Sequence, residues 1–280
     1  MNRRKPSAQD SSRADVSPGA APGKQQLRLT AILAKLRHSG SVNVEELSAE
    51  LGASLITIRR DLDQLERDGL LQRTHGGAIS IEPLFYQPFK NDLSFQAHLE
   101  KFADEKRRIG RAAAALIQKG ETIALTPGTT TLEVIRSLPL NQNITIVSNT
   151  VNIVMELSKR KDINVFVTGG HLRGDWFSLV GPSAIQSLQN ILIHTLFVGV
   201  DGIDKKWGTS SFNEEEASLI AAMVKRSRRK IAVADHSKLG VVAGWRICET
   251  SDLDMVITDV QASDESIAEF ESSGVEVLRV

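Results

Sequence analysis

The chain has 280 residues, with 34 basic and 34 acidic side chains and one cysteine, Cys248. An internal disulfide and a cysteine-rich zinc module are therefore excluded, which fits a reducing compartment. No run approaches the roughly 18 apolar residues that span a bilayer, so the expected location is the cytoplasm, with no membrane partner.

In chain order, residues 1–23 are rich in Ser, Ala, Pro and Gly and carry almost no large apolar side chains, so they are expected to form a disordered tail with Arg3, Arg4 and Lys5 solvated. Residues 24–81 are expected to form a separate small domain. Its first helix, about Gln25 to His38, turns Leu29, Ile32, Leu33 and Leu36 inward. A shorter helix from Val44 to Leu51 follows, with Gly52-Ala53 as a tight connection. In the next helix Leu55, Ile58, Leu62 and Leu65 recur on one face, Ser54 stands at the N-cap and Gly69 ends the run. Two helices joined by a short glycine-containing turn present the second to a major groove. Ser54, Ile56, Thr57, Arg59, Arg60 and Gln64 are the candidate DNA contacts on it.

From Leu70 to Ile81 the pattern is strand, Gly-Gly turn, strand, which reads as a wing. Arg73, Thr74 and His75 would approach phosphate or minor groove, and Gly76 and Gly77 would let the backbone come close. The alternative is a solvated helix face on which Arg59, Arg60 and Arg67 pair with Asp61, Asp63 and Glu66. The succession of helix, glycine turn, arginine helix and wing favours DNA, so residues 24–81 are expected to be a winged helix-turn-helix DNA-binding domain. Charge adds little: residues 1–80 hold 12 basic against 9 acidic side chains and the remainder 22 against 25, so the nucleic-acid signal is local.

Residues 82–104, with Pro83, Pro88 and aromatics lacking a period, read as a linker. Over 105–280 helices alternate with strands, the signature of an α/β domain with a mostly parallel sheet. Helices are expected at 106–118, 131–137, 183–188 and 215–227. Strands are expected at 122–125, 144–147, 164–167, 195–200, 230–234, 255–258 and 275–278.

Ligands of such sheets bind beyond the carboxyl ends of the strands. Those ends read Thr126-Pro127-Gly128-Thr129-Thr130-Thr131, Ser148-Asn149-Thr150, Thr168-Gly169-Gly170-His171-Leu172-Arg173, Gly199-Val200-Asp201-Gly202 and Ala234-Asp235-His236-Ser237-Lys238. Each alone is ordinary turn chemistry; five in succession form a site. Gly128 to Thr131, at a helix start, offer free amides and three hydroxyls to a phosphate.

From about Arg28 to Asp259 the chain resembles the DeoR family of transcriptional regulators. The resemblance rests on Thr57-Ile58-Arg59-Arg60-Asp61-Leu62, His75-Gly76-Gly77-Ala78, Gly128-Thr129-Thr130-Thr131, Gly169-Gly170-His171-Leu172-Arg173 and Asp235-His236-Ser237-Lys238. Within that family, Gly199 to Asp204 and Asn213 to Ala217 look most like the N-acetylgalactosamine-type (aga operon) repressors. The resemblance implies a sensor domain similar to ribose-5-phosphate isomerase, which binds a phosphorylated sugar, an amino-sugar phosphate among the candidates, and thereby releases operator DNA. It implies repression of a sugar or amino-sugar catabolic operon by a homo-dimer or tetramer bound to double-stranded operator DNA, with no cofactor, metal or catalytic group.

Carried over by position, Gly128, Thr129, Thr130 and Thr131 form the phosphate loop and Lys238 is a second phosphate contact. Ser148, Asn149, Gly170, Arg173, Asp201, Gly202 and Glu215 complete the effector site. Arg173 reads equally as one half of an ion pair with a carboxylate at the sheet end. The chain departs from the family at Thr126-Pro127, where the family has an acidic residue followed by Ser or Ala; an acceptor carboxylate is missing. The rival reading is a sugar-phosphate enzyme using Asp201, Glu215, His171 and Lys238, set against a DNA-reading module upstream and no evident carboxylate-histidine pair in the sequence. A nucleotide-binding oxidoreductase would need a G-x-G-x-x-G fingerprint that Thr126 to Thr131 lack.

Overall fold

The computed structural model of the chain describes residues 23–80 and 93–280. The expectations for the tail through residue 22, for Ile81 and for the segment 82–92 lie outside the described residues.

The N-terminal module is built from α1 (Lys24–Ser39), β1 (Ser41–Asn43), α2 (Val44–Leu51), α3 (Leu55–Arg67), β2 (Gln72–Thr74) and β3 (Gly77–Ile79). Leu29, Ile32, Leu36, Leu47, Ile58, Leu62, Leu65 and Leu71 form its core. Ser54 caps α3 by accepting from the Thr57 amide at 3.2 Å. At the other end Gly69 takes the left-handed conformation (φ 70°), and the Leu70 amide returns to the Leu65 carbonyl at 2.9 Å.

Two expectations are corrected in this module. Leu55 is 41% exposed, because the first turn of α3 projects beyond the three-helix core. The wing turn is His75-Gly76, and Gly77 already lies in β3, whose other edge pairs antiparallel with β1. A Cβ on Gly77 would stand 1.8 Å from the Val42 carbonyl oxygen, so this glycine serves strand packing and not approach to DNA.

The α/β domain begins earlier than expected. α4 (Leu93–Glu100) occupies part of the segment read as a linker, and its Phe95 is buried against Trp176 and Phe177 with ring centroids 6.2 and 5.6 Å away. α5 (Ala103–Ala115) follows. Then come β4 (Thr122–Leu125), α6 (Thr129–Arg136), β5 (Ile144–Ser148), α7 (Val151–Leu157), β6 (Ile163–Val167), the hairpin β7 (His171–Arg173) and β8 (Ser178–Val180), α8 (Pro182–Ser187) and β9 (Ile193–Val198). The rest comprises β10 (Gly202–Asp204), β11 (Gly208–Ser211), α9 (Glu214–Val224), β12 (Ser227–Val233), β13 (Trp245–Cys248), β14 (Met255–Thr258), α10 (Asp264–Glu271) and β15 (Glu276–Arg279).

Seven strands form one parallel sheet in the order β15-β14-β12-β9-β4-β5-β6. Both faces are covered: along β4, Ile123 and Leu125 join one apolar cluster and Ala124 the other, and along β12 Ile231 and Val233 oppose Ala232. A second, antiparallel sheet, β10-β11-β13, stands beside the carboxyl end.

The N-terminal module packs on the opposite, amino end. Leu140, in the connection before β5, joins the module's core, and Gln26 donates to its carbonyl.

Candidate effector cleft and nucleic-acid interface

At the carboxyl end of the sheet a cleft is lined by Gly128, Thr129, Thr130, Gly199, Asp201, Ser211, Glu216, Asp235, Lys106 and Lys238, with His98 and Trp176 at its side. Its floor is the junction of two glycine loops. Gly128 (φ 149°) precedes α6, and a Cβ on Gly199 would stand 2.8 Å from the Pro127 carbonyl oxygen. Only glycines let these chains meet. Because Gly128 has no side chain, no side-chain hydrogen bond caps α6, whose first residues, Thr129 and Thr130, line the cleft.

The threonines divide their work. Thr129 and Thr130 line the cleft, whereas the Thr131 hydroxyl lies 2.9 Å from the Thr126 carbonyl and 2.8 Å from that of Gly128, tying the loop together. Thr126 itself is fully buried, and its hydroxyl accepts from the Gly199 amide at 2.8 Å. It thus bridges the ends of β4 and β9 at the position where the family pattern has a carboxylate.

Lys238 sits on the 3-10 turn His236–Lys238 after β12, whose start is capped by Asp235. Its ammonium has no hydrogen-bond or ion-pair partner among the described residues. Lys106 projects from α5 and is 5% exposed; its Nζ donates to the carbonyl of His98 on α4. Burial pushes the Lys106 ammonium down to about 8, with Asp235 opposing the shift and Lys238 and Lys101 adding to it. The sequence signal for Lys106 was present: Lys106, Ile109, Gly110 and Ala113 share the buried face of α5, so a lysine there has to be satisfied inside the domain.

Several expected effector residues are placed elsewhere. Glu215 points to the rim, where it pairs with His171 at 3.3 Å, both groups exposed. The α9 glutamate in the cleft is Glu216, one residue on, because Asn213 caps α9 and sets its phase so that Glu216, Leu219 and Met223 turn inward. Glu216 accepts from Ser178 and from Arg173 at 3.2 Å. Burial holds its carboxyl above the usual range, with Ser178 and Arg173 opposing. Arg173 is therefore one half of an ion pair, with a helix carboxylate as partner.

Asp201 lines the cleft and accepts from the Ser211 hydroxyl at 3.0 Å and the Phe212 amide at 2.9 Å. Ser148 donates to the Leu125 carbonyl and Asn149 to that of Leu179, so both fasten strand ends. A Cβ on Gly170 would stand 2.4 Å from the Val180 carbonyl oxygen and one on Gly202 2.3 Å from that of Val241, which makes both packing glycines.

A carboxylate-histidine pair that the sequence did not suggest does exist: His236 Nδ1 stands 3.0 Å from the buried Asp259. Asp259 also accepts the His236 amide, and the Phe102 ring lies 4.6 Å from the imidazole. The pair braces the turn that carries Lys238. Phe102 has φ 55°, a conformation that costs a bulky residue energy, at the joint between α4 and α5.

On the N-terminal module Ile56, Arg59 and Arg60 are exposed on α3, and neither arginine has a hydrogen-bond or ion-pair partner among the described residues. The side-chain pairing expected of a merely solvated face is redirected. Asp61 is buried and pairs with Arg28 of α1, Asp63 pairs with Arg73 at 3.0 Å, and Arg67 donates to Gln64. The guanidinium of Arg73 also donates to the Gly77 carbonyl at 2.6 Å, so this residue braces the wing. Gln64 is engaged by Asp68 at 3.0 Å, and Ser54 and Thr57 share a hydroxyl contact of 2.8 Å. Thr74, His75 and Gly76 are exposed at the wing tip.

Comparison with known proteins adds two family matches: the DeoR-like helix-turn-helix domain over residues 28–83 and the DeoR C terminal sensor domain over residues 101–260. The chain is 36% identical to a protein of Escherichia coli O157:H7 named "Putative aga operon transcriptional repressor", over 89% of this chain and 91% of that protein. It is 30% identical to the glycerol-3-phosphate regulon repressor of Escherichia coli K12, over 84% of this chain and 91% of that protein. Among solved structures, ribose 5-phosphate isomerase A of Methanocaldococcus jannaschii aligns with a TM-score of 0.36 at 14% identity. That alignment covers 49% of this chain and about half, 54%, of the isomerase.

Proposed function

The chain belongs to the DeoR family of transcriptional regulators and is a regulator, not an enzyme; from that premise we propose that it represses a sugar or amino-sugar catabolic operon in the cytoplasm and leaves its operator when a phosphorylated sugar binds. The observation that carries this reading is the convergence on one cleft of the start of α6 without a side-chain cap, of Lys238, which has no partner among the described residues, and of the buried Lys106. Helix amides and mobile ammonium groups suit a phosphate monoester, which asks for positive charge without bidentate geometry.

In this reading the phosphate lies against Thr129 and Thr130 between the two lysines, and the sugar extends past Asp201 and Ser211. The free volume of the cleft, about 70 Å³, falls short of the few hundred Å³ that enclose a whole small ligand, so the cleft opens to admit the sugar. The opening involves α4. Lys106 is held by the His98 carbonyl, and α4 is the first described element after the wing. An effector phosphate competes for that ammonium, frees α4 from it and draws on the strained joint at Phe102. Only such differential contact can shift the population toward a state with poorer operator affinity. Two recognition helices in a homo-oligomer, each led by Arg59 and Arg60, would occupy paired half-sites on the duplex.

The test is an anisotropy titration of labelled promoter DNA against hexose and amino-sugar phosphates, the same sugars without phosphate, and inorganic phosphate. We expect release by one phosphorylated sugar and by none of the neutral ones. If no member of the panel alters the affinity, the effector reading fails.

A further inference from the structure

From Lys225 to Lys230 the chain reads Lys-Arg-Ser-Arg-Arg-Lys, five basic residues in six, at the passage from α9 into β12. Two of the five have work within the domain. Arg226 donates to the Ala222 carbonyl at 3.1 Å, where a cation also answers the C-terminal end of the helix dipole, and Lys230 pairs with Asp254 at 3.4 Å. Lys225, Arg228 and Arg229 have no hydrogen-bond or ion-pair partner among the described residues, and Lys225 and Arg228 are exposed.

A solvated charge run is the ordinary explanation, and two features of the fold argue for more. The run lies at the amino end of the parallel sheet, the end on which the DNA-reading module packs. Between that module and the sheet domain, apart from the run itself, a cavity is lined by Leu29, Gln64 and Leu70 on one side and Lys159, Arg160 and Lys161 on the other. Of the acidic groups at this end, Asp162 pairs with Arg160 and Asp254 with Lys230, while Glu121 accepts the Gln118 amide and keeps its charge. Lys225, Arg228 and Arg229 are thus left without direct pairing among the described residues, in a C-terminal region that is acidic overall. β12 is three strands from β5, next to which the module docks, a lateral offset of about 14 Å. A duplex carries one phosphate charge per ~1.7 Å of its axis, so DNA running out from a bound half-site offers phosphates across that distance.

We propose that Lys225, Arg228 and Arg229 form a second, sequence-independent contact with the DNA backbone flanking the operator. The winged module reads the bases and this end of the sensor domain holds the flank. The inference rests on the operator-binding reading, and the parent protein's own binding checks that reading separately.

The full-length chain with Lys225→Gln, Arg228→Gln and Arg229→Gln is compared with the parent on two duplexes selected for binding, one ending at the operator and one extended by about a helical turn on each side. On the extended duplex the slope of log affinity against log salt should fall by about 2 to 3 in the triple variant, roughly 0.9 per lost phosphate contact. Discrimination against scrambled DNA should not change, and on the short duplex the two proteins should agree. The charge-conserving set Lys225→Arg, Arg228→Lys and Arg229→Lys should keep the parent slope, which separates lost charge from a folding defect. Equal slopes for parent and triple variant on the extended duplex would overturn the proposal. So would loss of self-association in sedimentation with unchanged salt slopes, which would assign the patch to a second copy of the chain. A parent that bound neither duplex would instead overturn the operator-binding reading.

Discussion

The two ends of the seven-stranded sheet are built from the same strands and differ in nearly everything else. At the carboxyl end the loops are glycine-rich and three buried charged groups each have a partner: Glu216 with Arg173, Asp259 with His236, Lys106 with the His98 carbonyl. At the amino end Lys225, Arg228 and Arg229 have no hydrogen-bond or ion-pair partner among the described residues, and the DNA-reading module covers part of the surface. Parallel topology explains the sorting. Each helix that returns the chain begins near the carboxyl end and finishes near the amino end, so amide donors collect at one end and carbonyl acceptors, which favour cations, at the other. One end is thus suited to a small anion held at close range, the other to a long polyanion held by flexible side chains.

The comparison can be broken most severely inside the DNA-reading module. Arg28→Ala leaves Asp61 buried without its guanidinium, and loss of one partner of such a pair costs about 3 to 5 kcal/mol. Thermal unfolding should show the module melting early, while the sugar phosphate still binds the variant; joint loss of both functions would mean the two ends are not separable.

At the carboxyl end Gly199→Ala drives a Cβ against the Pro127 carbonyl, and overpacking of this kind costs about 1 to 3 kcal/mol. Effector binding measured by calorimetry should weaken and operator affinity should hold. Unaltered effector binding would show that the two glycine loops need not meet.

The smallest effect is one of pH. Lys106 titrates near 8, so its charged form, which a phosphate prefers, is full below that value and declines above it. Effector affinity should fall about tenfold between pH 7 and pH 9 if only the ammonium form binds, and Lys106→Met should flatten the profile. The same depressed value has a consequence for stability. The unfolded lysine keeps its proton up to about 10.5, so burial of the charge weakens folding below pH 8 and the cost is relieved as pH rises from 8 to 10.5. An unchanged profile in Lys106→Met would remove this residue from the site.

How much of this was legible beforehand depended on whether periodicity or packing decided it. The phase of α3, its cap at Ser54 and the alternation of helices and strands followed from spacing, and so did the glycine loops at the carboxyl ends. Leu55 was misplaced because periodicity does not say where a core stops. Glu215 and Glu216 stand in a run of three glutamates, and only the cap at Asn213 and the packing of α9 select the inward one. Arg73 was read as a DNA contact because its recapture by Asp63, ten positions away, is a tertiary event. α4 was read as linker because its one deeply buried aromatic, Phe95, leaves no period to find. The sheet β10-β11-β13 was missed because its strands are only three or four residues long, too short for an alternation to show, and β11 is Gly-Thr-Ser-Ser.

The separation of input and output is tested most directly by one paired titration, in which Lys238→Ala and Arg60→Ala are each measured for operator affinity and for sugar-phosphate binding. The account predicts a crossed result. Lys238→Ala keeps its operator affinity and loses release by the sugar phosphate, whereas Arg60→Ala keeps sugar-phosphate binding and loses about 1 to 3 kcal/mol of specific operator affinity. A Lys238→Ala protein released at the same effector concentration as the parent, or an Arg60→Ala protein with undiminished operator affinity, would contradict it.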